Sequence, residues 1–191
     1  MKEKLRAIIN SYQTISERSL LEINNGLTVE TYAKGDVFIK LNRINSKEYF
    51  VFDGICKSYL LNPDGVETTI SFFMDNSIIS PHQTRTLAGK SNLNFKALTA
   101  LTIASIDAAL FEELMIHNLE IRNFAHTVLQ HELMVKIQKE IGMASMTATE
   151  RLLAFRAQFK SLENYIPHTD IATYLGITNI SLSRIRKELS R

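Results

Sequence analysis

The side chains with the clearest chemical purpose lie near the end of the chain, in the run Thr169-Asp-Ile-Ala-Thr-Tyr-Leu-Gly-Ile-Thr-Asn-Ile-Ser-Leu-Ser-Arg-Ile-Arg-Lys-Glu-Leu. Asn179, Ile180, Ser183, Arg184, Arg186 and Lys187 set amide, methyl, hydroxyl and cationic groups along one outward surface, the mixture that touches base edges and phosphates in a duplex groove. An apolar frame has to position them. Ile171 and Leu175 stand four apart on one helix, and small Ala172 lets a second helix approach. Gly176 permits the left-handed backbone of a tight corner, Ile177 seals that corner, and Thr178 is a natural N-cap for the second helix. Leu182, Ile185 and Leu189 form the second stripe. The spacing predicts a helix-turn-helix whose second helix lies along DNA, with Thr178, Asn179, Ile180, Ser181, Ser183, Arg184, Arg186 and Lys187 as the candidate contacts. A helical hairpin that only closes a domain requires neither these offsets nor the basic outer face.

The charge distribution points the same way. Net charge is only +2, but from Thr147 onward Arg151, Arg156, Lys160, Arg184, Arg186, Lys187 and Arg191 face only Glu150, Glu163, Asp170 and Glu188. Positive charge therefore gathers at the tail, where phosphate contacts are needed. A hydrophobic content of 45% over 191 residues supports real cores, enough for two small domains or one large one. No run approaches a membrane span, and the start, Met-Lys-Glu-Lys-Leu-Arg, lacks a signal-peptide core, so a cytoplasmic protein with no membrane partner is expected. Cys56 is the only cysteine, which excludes internal disulfides and four-cysteine metal or cluster sites.

The elements upstream change period twice. A short helix is predicted near Ile15–Asn24, with Ser19 and Glu22 as a capping box and Gly26 as its stop. From Thr28 to Ile106 the pattern is strand and turn: Thr28–Tyr32, Val37–Lys40, Glu48–Phe52, Ile55–Leu61, Val66–Phe73, Asn94–Leu98 and Thr102–Ile106. Such evenly spaced hairpins suggest a β-sandwich or jelly roll. Met74–Leu93 reads as a loop holding at most a short helix, a length that is often functional. After Asp107 a short helix to Ile116 and a long one from Leu119, ended by Gly142, are expected. Two stripes run through this helical stretch: Leu114, Ile121, Val128 and Val135 every seven residues, and Leu129, Leu133, Ile137 and Ile141 every four. So much apolar circumference needs more than one neighbour, one face for the roll and one for a second copy, and the seven-residue stripe is the expected dimer interface. Thr147 and Glu150 form another capping box, opening a helix to about Leu162, and Tyr165-Ile166-Pro167 is an extended connector.

A β-roll, a long helix and a helix-turn-helix in this order resemble the Crp/Fnr superfamily of bacterial transcription regulators. The resemblance spans nearly the whole chain. It is carried by Tyr49-Phe50-Val51-x-x-Gly54, the run from Asp64-Gly65-x-Glu67 to Phe72-Phe73, Glu150-Arg151-Leu-Leu-x-Phe155, and Ile171 through Lys187, the last two resembling the Bacteroidetes-type branch. It implies an α+β chain of three parts: a cyclic-nucleotide-binding-like β-roll (double-stranded β-helix or jelly roll) with flanking helices over 1–118, a dimerisation helix over 119–143 and a helix-turn-helix domain over 144–191. The implied partners are double-stranded DNA with pseudo-palindromic sites, a second copy of the chain, RNA polymerase and an unidentified small-molecule effector. No cofactor or metal is implied.

The departures from the family pattern sharpen these expectations. Members that bind cyclic AMP carry Gly-Glu for the ribose and, later, Arg followed by a small residue for the phosphate; neither stands in register between Phe72 and Leu93. Losing the arginine removes charge-assisted bonds worth about 1.5–3 kcal/mol each, so tight cyclic AMP binding is not expected. The candidate pocket residues are Phe72, Phe73, Ser80, Arg85 and Lys90, with the two cations expected to be solvated. In the second helix the family's Arg-Glu pair is replaced by Asn179 and Ile180, which suit an adenine edge and a thymine methyl, packing at the corner being the other role open to Ile180. Arg184 matches the family's base-contacting arginine and suits guanine O6 and N7, while Ser181 matches a position near the backbone. The end at Arg191 leaves little room for the β-wing of many relatives.

Two other functions compete. One is a degenerate ligand-sensing or protein-interaction module of the same shape without specific DNA binding. The other is a cupin-like enzyme, which needs clustered His and Glu on adjacent strands; the roll offers His82 alone, and His117, His126, His131 and His168 lie elsewhere. Gly-rich phosphate loops and nucleophile elbows are missing too. An enzyme is therefore not expected.

Overall fold

The computed structural model describes residues 1–190 and divides into two compact units. The first comprises Met1–Ser58 with Phe72–Leu133, the second Tyr59–Ser71 with Met134–Arg191. In the first unit α1 (Lys2–Tyr12) and α2 (Glu17–Asn25) precede the strands β1 (Thr28–Tyr32), β2 (Val37–Ile39) and β3 (Lys47–Asp53). Next come β4 (Cys56–Leu61), β5 (Glu67–Phe73), β6 (Ser77–Ile79), the single turn α3 (Pro81–Thr84), β7 (Asn94–Ala97) and β8 (Leu101–Asp107). Helices α4 (Ala108–His117) and α5 (Leu119–Ser145) complete it, α5 continuing into the second unit.

The strands form two four-stranded sheets in the orders β1-β8-β3-β6 and β2-β7-β4-β5, so the jelly-roll expectation holds. β3 shows why. Glu48 to Phe52 are all buried, and the two-residue period sends Phe50 and Phe52 to one core and Tyr49 and Val51 to the other. Antiparallel β8 sorts likewise, with Val51 opposite Ile103 and Phe50 opposite Ala104. Inside the roll, Phe73 and Phe95 lie 6.0 Å apart beside Phe38 and Tyr49, while on the outer face Phe50, Ala104 and Ile106 meet Leu5, Ile8, Ile23, Phe111, Ile121 and Phe124. Gly54 turns β3 into β4 with φ +92°, and a Cβ there would stand 2.1 Å from the Ala100 carbonyl oxygen, so no other residue fits without moving backbone.

Several local expectations need correction. The cap of α2 is Ser16, whose side chain accepts from the Ser19 amide; Ser19 is inside the helix, and Glu22 instead bonds Arg18 and Asn118. The first helix, α1, was not anticipated, although Leu5, Ile8 and Ile9 have helical spacing and are fully buried. β6 lies within the stretch expected to be loop. Gly142 does not end the long helix, which runs on to Ser145; a helical Gly costs about 1 kcal/mol against Ala but does not by itself stop a helix.

Candidate nucleic-acid interface

The second unit is built by short-range devices. Thr147 caps α6 (Ala148–Gln158): its Oγ1 accepts from the Glu150 amide at 3.3 Å, and the Glu150 carboxylate accepts from the Thr147 amide at 2.8 Å, as expected. Those bonds hold the Glu150 carboxyl below its usual range. A 3₁₀ turn (Leu162–Asn164) leads to α7 (His168–Tyr174) and then α8 (Asn179–Leu189). Between them Gly176 takes φ +67°, and the amides of Gly176 and Ile177 donate back to the carbonyls of Thr173 and Ala172, closing α7. Arg151 reinforces the corner, donating from Nε to the Leu175 carbonyl at 3.0 Å. Thr178 Oγ1 accepts from the Ser181 amide at 3.1 Å and starts α8. Ile171, Ala172, Leu175, Leu182 and Ile185 are buried as the spacing requires, but Leu189 is 40% exposed and lies off the core.

The eight candidate DNA contacts separate into three groups. Thr178 and Ser181 make the cap, their hydroxyls 3.0 Å apart. Arg186 is engaged within the unit: Nε lies 2.9 Å from Glu163 Oε1, and Nη1 meets the His168 ring. Glu163 also takes two bonds from Arg156, at 2.7 and 3.1 Å, and these guanidinium groups hold its carboxyl below the usual range. The clasp joins α6, the 3₁₀ turn, α7 and α8, and Arg186 is its link to α8. Asn179, Ile180, Ser183, Arg184 and Lys187 remain, all exposed, with Ile180 at 84%. That exposure excludes a packing role for Ile180 within the chain. Of the seven cations of the tail, Arg151, Arg156 and Arg186 serve internal bonds, Lys160, Arg184 and Lys187 are exposed, and Arg191 lies outside the described residues.

The β4–β5 hairpin, Tyr59–Ser71, belongs to this unit, which sequence spacing gave no means to anticipate. The Thr69 amide donates to Thr173 Oγ1 at 3.1 Å, and Lys136 Nζ to Ser71 Oγ at 2.9 Å. Lys139 Nζ donates to the Ile70 carbonyl at 2.6 Å and sits 3.8 Å from the centre of the Tyr174 ring, and burial pushes its pKa down to about 8.

The candidate pocket residues of the roll are dispersed. Phe72 and Phe73 are buried, Phe73 within the aromatic core. Ser80 is buried with its hydroxyl unpartnered, and Lys90 is exposed. Arg85 is not solvated: Nη2 pairs with the Glu48 carboxylate, and Nη1 donates to the Lys47 carbonyl at 3.1 Å. The expected dimer stripe is also redirected. Ile121 and Val128 are packed in the first unit's core, Leu114 lies against it, and Val135 is half-buried. Among the apolar side chains that α5 leaves uncovered, Leu133, Met134, Ile137 and Ile141 are 60, 55, 40 and 55% exposed, with Leu119 and Met143 at 59 and 44%; Leu133, Ile137 and Ile141 come from the four-residue stripe. Among the described residues no group of three or more His, Cys, Asp and Glu is placed to hold a metal, and no helix is long and apolar enough to cross a membrane.

No protein-family profile matches the chain. The nitrogen fixation regulation protein FixK of Bradyrhizobium diazoefficiens is 24% identical over 171 residues, covering 84% of this chain and 70% of the relative. Among solved structures, FixK2 from Bradyrhizobium japonicum superposes with a TM-score of 0.75 at 19% identity, covering 86% of this chain and 84% of that one. A regulator assigned to the Crp/Fnr family, from Eubacterium rectale, gives 0.70 at 16% identity, covering 92% and 84%. In fold this chain is similar to FixK2 and to that Crp/Fnr-family regulator, and in sequence it is similar to FixK. The roll, α5 and the helix pair α7–α8 stand in the order expected from the sequence.

Proposed function

We propose that the chain is a dimeric, DNA-binding transcription regulator of the Crp/Fnr type, acting in the cytoplasm without catalysis, with α8 as the helix that enters the major groove. The observation that carries this reading is the division of labour on α8: cap and clasp hold the helix, leaving Asn179, Ile180, Ser183, Arg184 and Lys187 open on one basic surface. Arg184 reads guanine, Asn179 adenine and Ile180 a thymine methyl, while Lys187 and Ser183 meet the backbone. The uncovered side chains of α5 supply the contact with the second copy, which places two recognition helices on successive major grooves. The roll acts as sensor or scaffold and does not take cyclic AMP tightly, supported by Arg85 already being neutralised by Glu48 and by Phe73 filling the interior. RNA polymerase is the further partner this function calls for.

Selection of bound duplexes from a random library, followed by anisotropy titration over a salt series, tests the reading. The expected result is a pseudo-palindrome with half-site centres about one helical turn apart. Equal, weak binding to every duplex would leave only a sensing or interaction module and overturn it.

A further inference from the structure

A second candidate site lies in the first unit, on the outer face of the sheet that carries β3. It is an apolar cavity of about 90 Å³. Phe50 and Ile78 from the sheet, Phe111 and Met115 from α4, and Ala125 and Leu129 from α5 line it, and it opens in part to solvent. Its polar lining residue is Glu48 of β3, buried and paired with Arg85. A charged group in an apolar wall is costly unless paired, and Arg85 supplies the balancing charge. The adjoining segment walls the cavity through Pro81 and holds two buried polar atoms with no hydrogen-bond partner, Ser80 Oγ and Gln83 Oε1. Such orphaned groups in a buried segment call for an explanation in bound water or ligand.

We infer that this cavity is a binding site for a small, neutral, mostly apolar molecule carrying one hydrogen-bond donor, a short-chain alcohol being the size and chemistry that fit. The walls exclude a charged or sugar-bearing ligand, because nine of the eleven lining residues are apolar and the Glu48 charge is already matched. The size limits it further: a dry cavity of about 150 Å³ takes benzene, so this one holds something smaller unless Met115 and Leu129 give way. The ligand's hydroxyl donates to the Glu48 carboxylate while its carbon chain lies against Phe50, Phe111 and Ala125. This site is separate from the roll interior filled by Phe73 and Phe95 and does not depend on DNA binding.

Isobutanol and xenon are the probes, titrated into the full chain and read by the methyl resonances of Met115 and Ala125. Isobutanol is expected to give saturable shifts in the millimolar range, and xenon to shift the same methyls. Ala125→Phe fills the cavity and abolishes both responses; Leu129→Phe, at a half-exposed position, serves where Ala125→Phe does not fold. Glu48→Gln weakens isobutanol about threefold to tenfold and leaves xenon unchanged. Shifts that do not saturate, or that survive a filling variant which melts as the parent does, overturn the site. Xenon binding without saturable isobutanol binding overturns the assignment of a donor-bearing ligand.

Discussion

Arg184 and Arg186 are two residues apart on one helix, and their substitution by alanine should have opposite consequences. Arg186→Ala removes the 2.9 Å bond to Glu163 and the contact with His168. Bonds between charged groups are worth about 1.5–3 kcal/mol, and with the Arg186 side chain 33% exposed the solvent-screened loss is about 1–2 kcal/mol. Glu163 keeps both bonds from Arg156, so no stranded charge adds to the cost. For a chain of 191 residues that loss lowers Tm by about 2–8 °C. Arg184 is exposed and forms no hydrogen bond or ion pair among the described residues, so Arg184→Ala should leave stability within about 0.5 kcal/mol of the parent. Its cost falls on recognition instead: a lost bidentate guanine contact is worth about 1–3 kcal/mol per half-site, and twice that for a dimer on both half-sites. Thermal melts followed by circular dichroism, with anisotropy titrations on the selected operator and a scrambled duplex, separate the two. An Arg184→Ala protein that melts early while keeping its preference for the operator refutes the division of labour on α8. So does an Arg186→Ala protein that melts as the parent does but no longer distinguishes the duplexes.

Gly176→Ala should cost about 1–2 kcal/mol from the left-handed backbone alone; the new Cβ would also stand 2.6 Å from Met143 Cε, a flexible end, so adding Met143→Ala should restore only a small part. Full recovery in the double variant would show that collision, not backbone strain, sets the cost. Lys139 has its folded pKa lowered to about 8 from 10.5, so between those values the unfolded chain binds more protons and stability should rise with pH. The full difference is about 3 kcal/mol, present above pH 10.5 and lost as pH falls through 8; urea titrations across that window should show the rise in the parent and a flatter curve in Lys139→Met. Ile137→Glu puts a charge on the uncovered face of α5; the proposed dimer predicts a parent of twice the chain mass and a monomeric variant by light scattering at micromolar concentration, whereas an unchanged mass would place the second copy elsewhere.

The turn and its frame were legible because the forces that make them are local. Ile171, Leu175 and Gly176 lie within six residues, and Thr178 needs only the amide three positions on. Which cations reach solvent was not legible: Arg184 and Arg186 look alike until Glu163, 23 positions before Arg186, is brought beside only one of them. The same limit governs α5. Its 27 residues carry two apolar stripes, and periodicity does not say which one the roll takes. Phe50, Ala104 and Ile106 share one core with Ile121, Phe124 and Val128, so the middle of the first stripe is taken up within the chain. At α2, Ser16 and Ser19 both have an acceptor for the third amide on; the chain uses Ser16, which also bonds Glu120 on α5. Tertiary contact selects among caps that are locally equivalent.

The Glu48–Arg85 pair bears on the chemistry of the roll in a way that neither residue does alone. Between them lie 36 residues and three strand-to-strand turns, so the loop Met74–Leu93 reads as carrying a free cation when its arginine is already committed to a buried carboxylate. Burial pushes the Glu48 carboxyl up and Arg85 opposes that shift, which makes each group the condition for the other's charge. An anionic effector seeking Arg85 would have to displace Glu48 and leave a carboxylate facing Phe50, Ile78 and Phe111, at a penalty of several kcal/mol. A neutral ligand that donates to Glu48 leaves the pair intact. The pairing of Glu48 with Arg85 therefore disfavours an anionic ligand at this arginine and leaves the apolar wall beside it compatible with a small uncharged one.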